Sequence, residues 1–332
     1  MSDPAAAVID GYDAALFDLD GVVYLGPVAV PGAPEGIAAL RTRGARVGFV
    51  TNNAARPPAA VADHLVELGI PATAEDVVTS AQAGADLVLH RFGPGARVLV
   101  VGGEGVVAAL AEADLVAVWS ADDFPVAVLQ GWGFELTWQQ LNEAAIAIHR
   151  GAHWVATNTD PTRPTDRGLV PGNGAAVAAV AMAVPVLPEV AGKPYRPLLD
   201  DTVARIGARR PVFVGDRLDT DIAGARNAGL DSLLVLTGSH GPADLLRARP
   251  GERPDHLGRD LRALLEPPLL AAAEADGWRC GPAHATVRDG TVLLSGAPPD
   301  SVAGIWAAAH AAWAAADSGG GVDPVIRTAA PD

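Results

Sequence analysis

Cysteine is almost missing from this chain of 332 residues. Cys280 is the sole example, so no disulfide can form within the chain, and the composition fits a reducing compartment. Lysine is scarcer than the need for positive charge explains: of 24 basic residues 23 are arginine, and Lys193 is the one lysine. Base composition accounts for an arginine bias but not for the survival of a single lysine. No uninterrupted apolar run reaches the ~20 residues that span a membrane; the longest, Ala175–Val184, stops at Pro185. The opening MSDPAAAVID has no basic stretch followed by an apolar core, so no secretory leader is read there. Positive charge is also in deficit. The 39 acidic residues leave a net charge of −15, which argues against nucleic acid or a membrane surface as the main partner. A small anionic substrate stays open, because the field of a site is local. What the chain does have is apolar mass: 49% hydrophobic against 19% charged residues, enough for a sizeable core. These features predict a soluble, cytoplasmic protein.

Short apolar runs alternate with helix-like stretches. Strands are expected at Ala14–Phe17 and Val47–Val50, with helices at Glu35–Arg43 and Pro58–Glu67. The rhythm resumes with a helix at Tyr195–Ile206, a strand at Val212–Val214, a helix at Asp219–Asn227 and a strand at Ser232–Leu236. Such alternation predicts an α/β fold: a Rossmann-like, doubly wound parallel sheet with helices on both faces. Between the halves lies a domain-sized block with its own strands (Val98–Val101, Val126–Leu129, Trp154–Ala156) and helices (Val106–Glu112, Trp138–His149). The expected division is 1–82 and 187–266 for the core, 83–186 for an inserted α/β domain and 267–332 for a small α/β appendage. In the appendage, Ala283–Arg288 and Thr291–Leu294 flank Asp289-Gly290, a hairpin signal, and Pro298–Ala316 is an amphipathic helix with Trp306 and Trp313 as core residues. The stretch DSGGG reads as a flexible link to a short tail.

In a doubly wound sheet, ligands bind at the carboxyl ends of the strands. Four polar clusters fall there: Asp18 and Asp20 after ALF, Thr51-Asn52-Asn53 after VGFV, Lys193 after EVAG, and GDRLDTD, with Asp216, Asp219 and Asp221, after PVFV. Together they offer acids, a hydroxyl and one ammonium. Gathered carboxylates are unfavourable unless a cation or proton compensates them, and hard oxygen donors suit Mg²⁺. In that setting Asp18 could act as a nucleophile and Asp20 could supply a proton to a leaving group. A compact ammonium at Lys193 fits between a carboxylate and a phosphoryl oxygen more readily than a broad guanidinium.

The ordered motifs DLDGVVYLG, TNN, GKP and GDRLDTD resemble those of the haloacid dehalogenase superfamily, and more narrowly of its class IIA phosphatases, whose cap is inserted between the second and third motifs. TNTDPTRPTDRGLVPGNGA (Thr157–Ala175) is similar to the cap signature of that class, and the likeness covers residues of about 12–265. The resemblance implies that Asp18 becomes an aspartyl phosphate and that Asp20 acts as general acid and then base. It implies Mg²⁺ held by Asp18, the Asp20 carbonyl and Asp216, with Asp219 or Asp221 orienting the set. Thr51 and Asn52 would hold phosphoryl oxygens with Lys193. Substrate contacts are expected at Thr51, Asn52 and Asn53 and, from the cap, at Asn158, Asp160, Gly172 and Asn173. Four of the chain's six asparagines lie in these motifs.

Each cluster also has a plainer reading. Asp18 and Asp20 alone could be a turn acid and a helix cap, Asp219 an N-cap, Asn158 and Asp160 an Asx turn, and Gly172-Asn173-Gly174 a tight turn. VVGGEGVVAAL lacks the full dinucleotide glycine pattern and reads as a strand-to-helix turn, and His149 and His153 lack the acid that a zinc-protease motif needs. The expectation is therefore a Mg²⁺-dependent phosphomonoesterase acting on a small phosphorylated metabolite, with a homodimer left open. Resemblance to actinobacterial members of the class implies glycerol 3-phosphate as substrate; phosphoglycolate, pyridoxal phosphate or a nucleotide are the alternatives. Hydrolytic dehalogenation, a phosphomutase and a phospho-accepting regulatory protein fit the motifs less well.

Overall fold

A computed structural model describes residues 6–165 and 167–329. Residues 1–5, the first part of the stretch MSDPAAAVID on which the leader expectation rests, and the last three residues of the tail lie outside the described residues. The chain divides into two compact units, one formed by residues 1–46 and 210–332 and the other by residues 47–209.

In the first unit, strand Ala14–Asp18 pairs in parallel with Pro211–Gly215, which pairs with Asp231–Val235, which pairs with His256–Gly258. Ala14 to Phe17, Val212 to Val214 and Leu233 to Val235 are all without solvent exposure. Such unbroken apolar runs are what a parallel sheet covered on both faces requires. The register Phe17↔Val214 brings the first acid of each motif, Asp18 and Asp216, out at the same sheet edge. The expected helix at Asp219–Asn227 begins instead as a wide π-type turn, Leu218–Ile222, before the regular helix Ala223–Ala228. Gly229, at φ 74°, ends it in the left-handed conformation.

The appendage belongs to this unit and shares its core. Strands Ala271–Glu274, Gly277–Cys280, Ala283–Arg288 and Thr291–Ser295 form an antiparallel meander. Asp289 and Gly290, at φ 50° and 74°, make its tight turn with both central residues left-handed, as the Asp-Gly pair predicts. Helix Val302–Asp317 lies on the meander and buries Trp306 and Trp313 together with Leu218, Ile222, Leu234, Leu245, Leu246 and Leu257 of the sheet domain. The indole N–H of Trp313 donates to the carbonyl of Leu245 at 2.8 Å, so the ring's polar edge is satisfied as its face is buried. The segment after DSGGG is not a free tail. It forms strand Asp323–Thr328, parallel to Thr291–Ser295, a strand that the reading as a short tail did not include.

The second unit contains a five-stranded parallel sheet in the order Glu189–Val190, His153–Ala156, Ala127–Gln130, Arg97–Val101, Val116–Val118. Alternate residues serve alternate faces. Val98, Val100, Leu129 and Val155 pack with helices Ser80–Phe92 and Glu104–Glu112, and Leu99, Val101, Val128, Trp154 and Ala156 pack with helices Trp138–His149 and Asn173–Ala181. The expected junction near Ala83 falls within helix Ser80–Phe92, and that near Val186 just before strand Glu189–Val190. Strand Arg46–Thr51 pairs in parallel with Val77–Thr79, and helix Pro58–Glu67 spans the residues expected. Among the described residues no helix is long and apolar enough to cross a membrane.

Because helix Val302–Asp317 completes the core over Leu245, Leu246 and Leu257, a chain ending at Pro267 should be markedly less stable than the full chain. Solubility and circular dichroism after expression should show aggregation or a cooperative transition at least about 10 °C lower, given the several buried side chains uncovered. An unchanged transition would contradict the shared core.

Candidate active site

The first unit gathers three acids. One carboxylate oxygen each from Asp18, Asp216 and Asp221 lies within 4.8 Å of the others, and Asp216 and Asp221 are each 1% exposed. Local backbone explains how they are held. The buried Asp221 carboxylate accepts from the backbone N–H of Asp216 at 3.1 Å and of Arg217 at 3.0 Å, closing the wide turn on itself. Asp216 accepts from the N–H of Ser239 at 2.5 Å, and the Asp216 carbonyl accepts from the N–H of His240. Two glycines make room for the Asp216 carboxylate. A Cβ at Gly238 would stand 2.0 Å from Oδ2, and one at Gly21, where φ is +89°, 2.6 Å from it.

Asp219 goes elsewhere. It forms a bidentate pair with Arg217 at 2.9 and 3.1 Å. Burial pushes its carboxyl up, but the guanidinium beside it outweighs that and holds it below the usual range. The structure thus brings Asp221, not Asp219, into the acid cluster. Asp20 is exposed, one residue past Leu19, and its carboxylate is outside the trio; its backbone is bridged to Tyr24.

The trio fits a divalent cation. Three carboxylates this close, two of them buried, repel strongly, and all the donors are hard oxygens, the set that Mg²⁺ takes. Nitrogen and sulfur ligands, which zinc sites favour, are absent from the trio.

The second unit carries the remaining candidates. Thr51, 4% exposed, ends its strand and accepts from the N–H of Asn53, and Asn53 in turn accepts from the N–H of Ala55, giving two successive side-chain turns. Asn52 spans three segments: its Oδ1 accepts from the N–H of Lys193 at 2.9 Å, and its Nδ2 donates to the carbonyl of Lys193 at 3.1 Å and to Asp160 at 3.2 Å. Lys193 itself is 3% exposed. Asn158 donates to the carbonyl of Asn52 at 2.7 Å and accepts from the N–H of Asp160, the expected Asx turn. Gly172 is buried and Asn173 is 2% exposed; the Asn173 amide donates to the carbonyls of Asn158 and Gln130.

Two features escaped the sequence. The loop Thr237–His240 that cradles Asp216 was signalled only by its glycine and hydroxyl residues after an apolar strand. In the inserted domain, the Arg163 guanidinium lies 4.1 Å over the Trp132 ring and 5.8 Å from Phe134, with the two rings edge to face at 4.6 Å. Arg163 sits on the hairpin Thr162–Thr165/Gly168–Pro171, and its Nε is buried without a hydrogen-bond partner. The W-G-F spacing in GWGFEL was its sole trace.

Family models for haloacid dehalogenase-like hydrolases match residues 15–116 and 190–264. The chain is 48% identical over 274 residues to a D-glycerol 3-phosphate phosphatase of Mycobacterium tuberculosis, covering 82% of this chain and 77% of that protein. It is 38% identical over 229 residues to an acid sugar phosphatase of Staphylococcus aureus, covering 68% and 87%. Among solved structures, a glycerol phosphate phosphatase of M. tuberculosis in complex with magnesium superposes with a TM-score of 0.87 at 42% identity, covering 98% of this chain and 96% of that one. A thermostable NPPase of Geobacillus stearothermophilus gives 0.69 at 34% identity, covering 76% and 97%.

Adding a methyl group at residue 238 tests the acid cradle. Gly238→Ala should displace the Asp216 carboxylate and weaken Mn²⁺ binding, measured by calorimetry or electron paramagnetic resonance, by about tenfold or more while circular dichroism stays unchanged. Unaltered affinity would show that Asp216 does not ligate the ion.

Proposed function

The chain belongs to the haloacid dehalogenase-like hydrolases, and from that premise we propose that it is a phosphomonoesterase that cleaves glycerol 3-phosphate to glycerol and phosphate. The observation that carries the chemistry is the trio Asp18, Asp216 and Asp221, with a fourth acid, Asp20, two residues beyond the first. The substrate rests on the 48% identity to a glycerol 3-phosphate phosphatase and on a likeness that runs through the appendage.

In this reading Asp18 supplies a carboxylate oxygen to phosphorus, and the bond from phosphorus to the glycerol oxygen breaks. Asp20 gives its proton to that departing oxygen. Water then attacks the aspartyl phosphate as Asp20 takes a proton from it, releasing phosphate and restoring Asp18. Mg²⁺, held by Asp18, Asp216 and the Asp20 carbonyl, would supply positive charge toward the phosphoryl oxygens. Asp221 keeps Asp216 and the following turn in place. Thr51 and Lys193 contribute the hydroxyl and ammonium that neutralise the transferring group, whose charge is spread over oxygen in the transition state. In the same reading residues 83–186 are the cap domain, and Asp160 and Asn53 are assigned to substrate binding. Nothing in the charge, −15, invites nucleic acid or an anionic membrane, and we assign the enzyme to the cytoplasm.

Steady-state phosphate release with Mg²⁺ across glycerol 3-phosphate, phosphoglycolate, pyridoxal phosphate and nucleoside monophosphates tests both levels. The highest kcat/KM should fall to glycerol 3-phosphate, and Asp18→Asn should lower kcat by about 10⁴-fold or more. Release from no ester, or full activity in Asp18→Asn, would overturn the chemistry; a higher kcat/KM for another ester would overturn the substrate alone.

A further inference from the structure

Three asparagines of the second unit form one continuous ladder. Asn173 donates to the carbonyl of Gln130 at 3.3 Å, at the end of strand Ala127–Gln130, and to the carbonyl of Asn158 at 2.8 Å. Asn158 donates to the carbonyl of Asn52 at 2.7 Å, where Ser80 donates as well, also at 2.7 Å. Asn52 then grips the Lys193 backbone at both its N–H and its carbonyl, and reaches Asp160 with the same amide nitrogen. The sense of the Asn52 amide is fixed. Reversed, it would set Nδ2 against the N–H of Lys193 and Oδ1 against a carbonyl and a carboxylate.

The glycines of the same motifs serve this ladder. A Cβ at Gly192 would lie 2.6 Å from Asn52 Oδ1 and 2.4 Å from the carbonyl of Thr157. Cβ atoms at Gly172 and Gly174, on either side of Asn173, would lie 2.3 Å from the carbonyl of Asp160 and 2.2 Å from that of Thr159. The turns at Gly172–Gly174 and Gly192 are thus built for backbone to approach backbone with an asparagine amide between them. Each of the three amides uses its Nδ2 on a backbone carbonyl.

We propose that Asn52 and Asn158 are positioning residues: they fix the backbone of Lys193 against the loop 157–160 of the inserted domain, so that this loop sets the place of the ammonium. The inference rests on the phosphatase reading above. It differs from contact with the leaving group, whose loss would depend on the ester, and from independent contact with the phosphate, whose loss would multiply with that of Lys193→Ala.

The test is a double-mutant cycle. Asn158→Asp keeps the size of the side chain and removes the donor to the Asn52 carbonyl; Asn52→Asp removes the donor to Lys193 and sets a carboxylate against Asp160. Each is made in the wild-type and Lys193→Ala backgrounds, and kcat and KM are measured with glycerol 3-phosphate and p-nitrophenyl phosphate alongside thermal unfolding. In the wild-type background kcat should fall about 10- to 100-fold, equally for the two esters, the range usual for removal of an outer hydrogen bond to a working group. In Lys193→Ala the further loss should be under about twofold. Losses that differ between the esters, or that multiply with Lys193→Ala, would overturn the ladder. So would a lowered unfolding midpoint with kcat per folded molecule unchanged. Wild-type protein that cleaves neither ester would instead refute the phosphatase reading itself.

Discussion

Mutual repulsion of three carboxylates is the constraint around which the first unit is arranged. Asp18, Asp216 and Asp221 converge within 4.8 Å at the end of strands whose central runs, Ala14–Phe17, Val212–Val214 and Leu233–Val235, are apolar and wholly buried. Folding alone would not keep them there, since removing charge from water is costly and like charges raise the cost. What the chain supplies is local compensation. Backbone N–H groups of residues 216, 217 and 239 point at the carboxylates, and glycines at 21 and 238 leave the space they occupy. The remaining charge is what a divalent cation can balance, so the cluster that costs stability is also the one suited to hold the ion.

The second unit works by the opposite device, neutral amides in place of charge. Asn52, Asn158 and Asn173 carry no charge to desolvate, and each can donate and accept at once. That makes them suited to joining three backbone segments inside a protein around one buried lysine. The appendage contributes neither device. Its helix and meander deepen the apolar core beneath Leu245, Leu246 and Leu257, which gives it a packing role in the fold.

Much of this was legible before any coordinates. Parallel strands announced themselves as apolar runs ending in acids, Pro58–Glu67 carried its own start and stop, and Asp289-Gly290 dictated its turn. Elements too short to show a period were missed: the three-residue strand Val77–Thr79, the hairpin Thr162–Thr165/Gly168–Pro171, and Asp323–Thr328, whose glycine-rich approach masked a strand that pairs 32 residues back at Thr291. The spacing of GDRLDTD could not separate Asp219 from Asp221, because a regular helix and a π-type turn present them differently. Scarcity of asparagine marked Asn52, Asn158 and Asn173 as candidates. Their hydrogen-bond partners, each up to 141 residues distant, are a property of the tertiary fold.

The most direct measurement of the central claim is thermal unfolding of wild type and Asp221→Asn as Mg²⁺ is titrated. Asparagine can still accept the two backbone N–H bonds while removing one negative charge from the trio. Without metal the variant should unfold at a higher temperature than wild type, and Mg²⁺ should stabilise wild type but much less the variant. A metal-free variant that is less stable than wild type, together with an undiminished Mg²⁺ shift, would contradict the account.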